Sequence, residues 1–118
     1  MRVKVYGYKN CATCRKATGF LKAHGLAYEE IDITTVPPSR DELSVMLAAV
    51  GDVRKLCNTS GQVYREMRLG EKLRTMTPAE ALVLLASNGR LVKRPLLVVD
   101  GRPVAIGFNE ETWNRVLR

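Results

Sequence analysis

Residues 3–25 read VKVYGYKNCATCRKATGFLKAHG, and two thiols, Cys11 and Cys14, stand where a strand-like run gives way to a helix-like one. Val3 and Val5 alternate with Arg2 and Lys4, so residues 2–7 are predicted as a half-buried strand. Cys14, Ala17 and Leu21 fall on one stripe with Phe20 beside it, which predicts a helix over residues 12–24. Gly25 suits the helix stop, and His24 lies in the last turn, where a cation is favoured. Residues 27–33, AYEEIDI, read as a second strand. Two strands joined through one helix run parallel.

Working outward, Pro37 and Pro38 break the chain. Ser39 and Glu42 form a capping box ahead of Leu43, Met46, Leu47 and Val50, an amphipathic helical spacing. Val53, Leu56 and Cys57 make a further short apolar stripe, ended by the polar NTSG, and residues 62–68 suit another helical turn or two. Thr77-Pro78-Ala79-Glu80 is a strong helix start, with Ala79, Leu82, Val83 and Ala86 as the expected buried stripe and Asn88-Gly89 as its end. The period then changes. LLVVDGRPVAIGF is two apolar runs around Asp100-Gly101, a hairpin signal. Asn109 can cap a last helix that buries Trp113, Val116 and Leu117.

The order β-α-β, several helices, β-β-α predicts an α/β fold. Its pattern is a thioredoxin-like βαβ-ββα core with a four-stranded mixed sheet and a helical insert. A single domain over residues 1–118 is expected, with the core at 1–34 and 91–118 and the insert at 35–90. No repeat, low-complexity segment or membrane-length apolar stretch interrupts it. The N-terminus reads as a strand and not as a signal peptide, so the expected address is the reducing cytoplasm. The net charge of +7 favours acidic partners, but no nucleic-acid motif or dense Lys/Arg run accompanies it. Direct nucleic-acid binding is therefore not expected, and nothing in the sequence calls for an obligate dimer, so a monomer is.

Three cysteines, two of them close together, do not make a secreted disulfide framework. A thiol reacts as its thiolate. The unpaired N–H groups at a helix start, with Lys9, Arg15 and Lys16 nearby, favour the anionic form of Cys11. Cys14 lies one turn on and faces the same way, able to attack a mixed disulfide on Cys11. Cys11 is thus the expected nucleophile and Cys14 the resolving thiol. Two other readings compete: small apolar filler, since Cys14 lies on the apolar stripe, and a metal site. A four-ligand zinc site would need Cys57 and the single histidine, His24, as well, and these fall on separate elements, so no metal is expected. Cys57 reads as core.

The second constellation is Lys93-Arg94-Pro95. In a thioredoxin-like fold the strand entering the hairpin begins opposite the active cysteine. Pro95 there, often cis in such folds, would shape the groove. Arg94 would point at the sulfur and hold an oxyanion or stabilise a thiolate.

Over almost the whole chain these residues resemble the arsenate reductase (ArsC)/Spx family, through YGYKNCATCRKA, KLCNTSGQVYRE, KRPLL and the hairpin ending in GF. The resemblance implies the same core and insert. Its arsenate reductases use a cysteine matching Cys11 and three arginines, two of which match Arg54 and Arg94. The third position falls at Gly107, where no arginine stands, which argues against arsenate as substrate. CATCRKA is similar to the Spx branch, whose members switch a CxxC disulfide and bind RNA polymerase alpha subunits. KNC-x-T, NTSG and KRPLL resemble glutathione-dependent thiol reductases. The resemblance therefore implies one of two roles. One is a thiol oxidoreductase with no tightly bound cofactor, fed by glutathione or by a glutaredoxin or thioredoxin. The other is a redox-switched transcriptional regulator.

Overall fold

In the computed structural model, which describes residues 1–118, β1 (Val3–Gly7), α1 (Ala12–Ala23) and β2 (Glu29–Asp32) form the parallel unit. β1 and β2 pair from Lys4–Glu29 to Gly7–Asp32. The chain then runs through α2 (Arg40–Val50), a 3₁₀ turn (Val53–Leu56), α3 (Gln62–Glu66), α4 (Leu69–Lys72), α5 (Pro78–Ser87) and a second 3₁₀ turn (Gly89–Leu91). It returns as β3 (Leu96–Val99), antiparallel to β1, and β4 (Arg102–Ile106), antiparallel to β3, before α6 (Glu110–Val116). The sheet order β2-β1-β3-β4 is the expected four-stranded mixed sheet. No helix is long and apolar enough to cross a membrane.

Local chemistry sets the element ends. Both capping boxes form: Glu42 N–H donates to Ser39 Oγ at 3.0 Å, and Glu80 N–H to Thr77 Oγ1 at 3.1 Å, each glutamate accepting in return from the cap N–H. The hairpin turns at Asp100-Gly101, where Asp100 Oδ1 also accepts from Arg2 N–H at 2.7 Å.

Strand alternation divides the interior in two. Val3, Val5 and Leu97 face one side, against Ala17, Phe20 and Leu21 of α1 and Trp113 of α6. Tyr6, Leu96 and Val98 face the other, against Leu43 and Met46 of α2 and Leu82 and Leu85 of α5. Trp113 is fully buried and meets Phe20 and Phe108 edge-on. The buried stripe of α5 differs from the expected one. Ala81, Leu82 and Leu85 are buried, whereas Ala79 is exposed and Val83 is 53% exposed. PAEALVLLAS is apolar around most of its circumference, so periodicity alone did not choose the face. Packing against α2 and the 3₁₀ turns did.

Glu42 joins the helix cap to the sheet. Its Oε1 accepts from Ser39 N–H at 3.0 Å and from the Tyr6 hydroxyl at 2.9 Å, and Lys4 Nζ stands 3.6 Å from Oε2. Burial works to raise the carboxyl pKa. The Ser39 N–H, the Tyr6 hydroxyl and the Lys4 ammonium outweigh it, and the pKa is lowered. A depressed carboxyl pKa contributes stability that is complete above the unfolded value, near 4.5, and is lost as pH falls through the folded value. Glu42→Gln keeps the acceptor and removes the charge. Urea titrations from neutral to acid pH should show wild type losing about 1 kcal/mol more than Glu42→Gln below that value.

Candidate functional site at the start of the first helix

Cys11 is the N-cap of α1, with extended backbone (φ −99°, ψ 113°). Its Sγ accepts from Cys14 N–H at 3.2 Å, so the sulfur occupies the place that a capping hydroxyl or carboxylate would take. The Cys11 N–H donates to Tyr8 O at 3.1 Å and fixes the turn out of β1. Cys11 is half-buried, and all three cysteines are free thiols.

Cys14 differs from the expectation that it faces the same way as Cys11. It is 1% exposed and turned onto the end of β1, where a Cβ at Gly7 would stand 3.5 Å from its Cβ and Sγ. A residue on the apolar stripe follows that stripe into the core. Burial, and after it the neighbouring Cys11 sulfur, push the Cys14 thiol up to about 12, with the Tyr8 backbone and Arg94 acting in the opposite sense. Cys14 thus keeps its proton at neutral pH.

The facing wall follows from register. β3 runs antiparallel to β1 with Leu96 beside Tyr6, so Pro95 and Arg94 fall just past the end of β1, next to the turn that carries Cys11. The Arg94–Pro95 peptide is cis. The Arg94 guanidinium lies over the Tyr8 ring, 5.1 Å from its centroid. Pro95 is buried and lies behind the groove surface, where its carbonyl accepts from Gly107 N–H at 2.8 Å. The Gly107 carbonyl in turn accepts from Trp113 Nε1–H at 3.0 Å. Arg54, exposed on the first 3₁₀ turn, is brought to the same cleft by the Cys57–Val92 bridge. Flanking that bridge, Lys93 N–H donates to Leu56 O and Asn58 N–H to Leu91 O, both at 2.8 Å.

Cys11, Arg54 and Arg94 therefore line one cleft of about 870 Å³, while Cys14 lies beneath its surface. Lys55, Lys93 and Arg115 add cations, Asn58, Thr59 and Ser60 form a polar wall, and no Asp or Glu lines it. Of the local cations expected at Cys11, none lines the cleft, and Arg15 Nη1 turns back to donate to Lys9 O at 3.4 Å. Cys57 is 3% exposed, donates to Val53 O at 3.4 Å, and is pushed up to about 11, first by burial and then by Asp52. His24 stacks on Phe20 with centroids 4.1 Å apart at the far end of α1, away from Cys11. Tyr8 and Lys93 were given no role by sequence reasoning. Lys93 had a signal, its place beside Arg94. Tyr8 had none, because its stack on Arg94 joins residues far apart in sequence.

The family model described as "ArsC family" matches residues 6–116. The uncharacterized protein YusI of Bacillus subtilis is 47% identical over 114 residues, covering 96% of each chain. The global transcriptional regulator Spx of Streptococcus mutans is 30% identical, over 86% of this chain and 73% of its own. Among solved structures, that of a possible arsenate reductase from Streptococcus mutans UA159 superposes with a TM-score of 0.84 at 42% identity, covering 91% of both chains.

Proposed function

The chain belongs to the ArsC family, with a thioredoxin-like fold, and on that footing we propose that it is a thiol oxidoreductase in which Cys11 attacks and Cys14 resolves. One observation carries this reading: a half-buried cap sulfur lines a cleft whose charged residues are all cations, while a protonated thiol waits one turn behind it. The Cys11 thiolate attacks a substrate disulfide. One sulfur becomes bonded to Cys11, and the other leaves as a thiolate with the electron pair. The Cys11 sulfur is then uncharged, and its share in holding up the Cys14 pKa is removed. Cys14 loses its proton, attacks Cys11, and releases the second thiol as the Cys11–Cys14 disulfide closes. Glutathione, or a glutaredoxin or thioredoxin, returns the two electrons, and the site of action is the reducing cytoplasm.

The test is a redox titration of the protein in glutathione buffers, with free thiols counted after alkylation. A Cys11–Cys14 disulfide forming on the order of −200 to −300 mV is expected. Its absence at every poise would remove the two-thiol mechanism. A second reading, a redox-switched regulator that binds the RNA polymerase alpha subunit, is favoured by the relative named as a transcriptional regulator. Capture of the alpha C-terminal domain by one redox form only would support it, and capture by neither would dismiss it.

A further inference from the structure

Gly107 is buried, has φ +75°, and lies under the side chain of Lys93. A Cβ at position 107 would stand 2.9 Å from Lys93 Cε and 3.3 Å from Nζ, so the lysine rests where any larger residue would put its own side chain. The glycine therefore has two reasons to be there, a left-handed backbone and the lysine stem crossing it. The stem packs on backbone while its ammonium remains exposed at the cleft. That ammonium has no carboxylate partner: the one ion pair in the structure joins Lys4 to Glu42. Arg94, by contrast, is held against Tyr8 beside the thiols.

The two neighbouring cations thus have different tasks. Arg94 is a planar fork fixed near the sulfurs. Lys93 is a compact charge on a flexible stem, suited to one carboxylate and unable to grip a tetrahedral oxyanion in a forked manner. The cleft is several times larger than such an oxyanion and has room for an organic thiol group around the reacting sulfur. We propose that Lys93, seated on Gly107, is a specificity-determining residue that selects disulfides carrying a carboxylate near the reacting sulfur. This rests on the thiol chemistry of Cys11 proposed above.

The experiment compares two aryl disulfides on the full chain: dithiobis-nitrobenzoate, with a carboxylate on each ring, and dithiodipyridine, with none. In each, the Cys11 thiolate forms a mixed disulfide and first expels one light-absorbing leaving group. The first reagent releases the yellow nitrothiobenzoate thiolate, and the second the near-ultraviolet-absorbing pyridinethione, which takes up a proton from solvent. Cys11→Ser identifies the Cys11 phase, since Cys14 and Cys57 are buried. Lys93→Gln should slow the carboxylated reagent about three- to fivefold, the range of an exposed ion pair. It should leave dithiodipyridine unchanged, and added salt should erode the difference. Lys93→Arg should restore the rate. Lys22→Gln, which removes the same charge at the far end of α1, should alter neither reaction. Equal slowing of both reagents, or of neither, would overturn the proposal and leave the thiol chemistry standing. A wild-type Cys11 no faster than free cysteine toward dithiodipyridine would overturn both.

Discussion

Serine at position 11 is expected to reduce disulfide exchange by roughly a thousandfold or more, the scale of losing a nucleophile outright. The hydroxyl can still accept the Cys14 N–H that the Cys11 sulfur accepts at 3.2 Å, so the cap survives and the melting curve should move little. Loss of exchange with retained fold separates chemistry from structure. Cys14→Ala behaves in the opposite way. Cys11 still attacks, but no second thiol follows, and a stable one-to-one adduct should accumulate and be visible by mass. In wild type the second thiol release should quicken with pH, because burial still holds the Cys14 thiol up after the share of the Cys11 sulfur is gone, and its thiolate fraction grows as pH rises. A second release that is flat in pH would mean that another group removes the Cys14 proton.

The other large effect lies in stability. Gly89→Ala is expected to cost about 3 kcal/mol or more, lowering the melting temperature by roughly 10 °C or more. A Cβ there would overlap the Ile33 carbonyl oxygen and stand 2.7 Å from the carbonyl carbon, which is backbone and cannot rotate aside. The start of the second 3₁₀ turn touches the chain just after β2, and that contact fixes how the helices between β2 and β3 meet the sheet. Gly19→Ala should have the opposite sign. Gly19 is exposed in the middle of α1, nothing lies within 4 Å of an added Cβ, and alanine should add about 0.5–1 kcal/mol. Urea midpoints at unchanged slope read both. Equal effects at the two positions would show that the contact at Gly89 carries no weight.

The contrast between these glycines also marks what the sequence makes legible. Ser39/Glu42, Thr77/Glu80, the Asp100-Gly101 turn and the stripe of α1 are short-range signals, each complete within a few residues, and each forms as expected. The placement of Arg94 past the end of β1 was also readable, because the element order matches a thioredoxin-like pattern, in which the strand entering the hairpin begins opposite the active cysteine. Gly89 looked like an ordinary helix stop. Its partner, Ile33, is distant in sequence, and no local pattern announces it. The same holds for Tyr8 beneath Arg94, Tyr6 on Glu42 and Lys93 over Gly107. The depth of Cys14 was readable in principle, since its apolar stripe competed with the picture of two thiols facing one way. The stripe prevailed because the sheet takes whatever that face presents.

Trp113 has a practical consequence. It is the chain's sole tryptophan, sealed from water, ringed by Phe20 and Phe108, and tied through Gly107 to the rim of the cleft. The protein therefore carries its own fluorophore, tethered by one hydrogen bond to the residue on which Lys93 rests. Emission from a dry indole is blue-shifted, and it responds to movement of the groups around it. Occupancy of the cleft can be followed optically on the unlabelled chain, with no dye added and no residue changed.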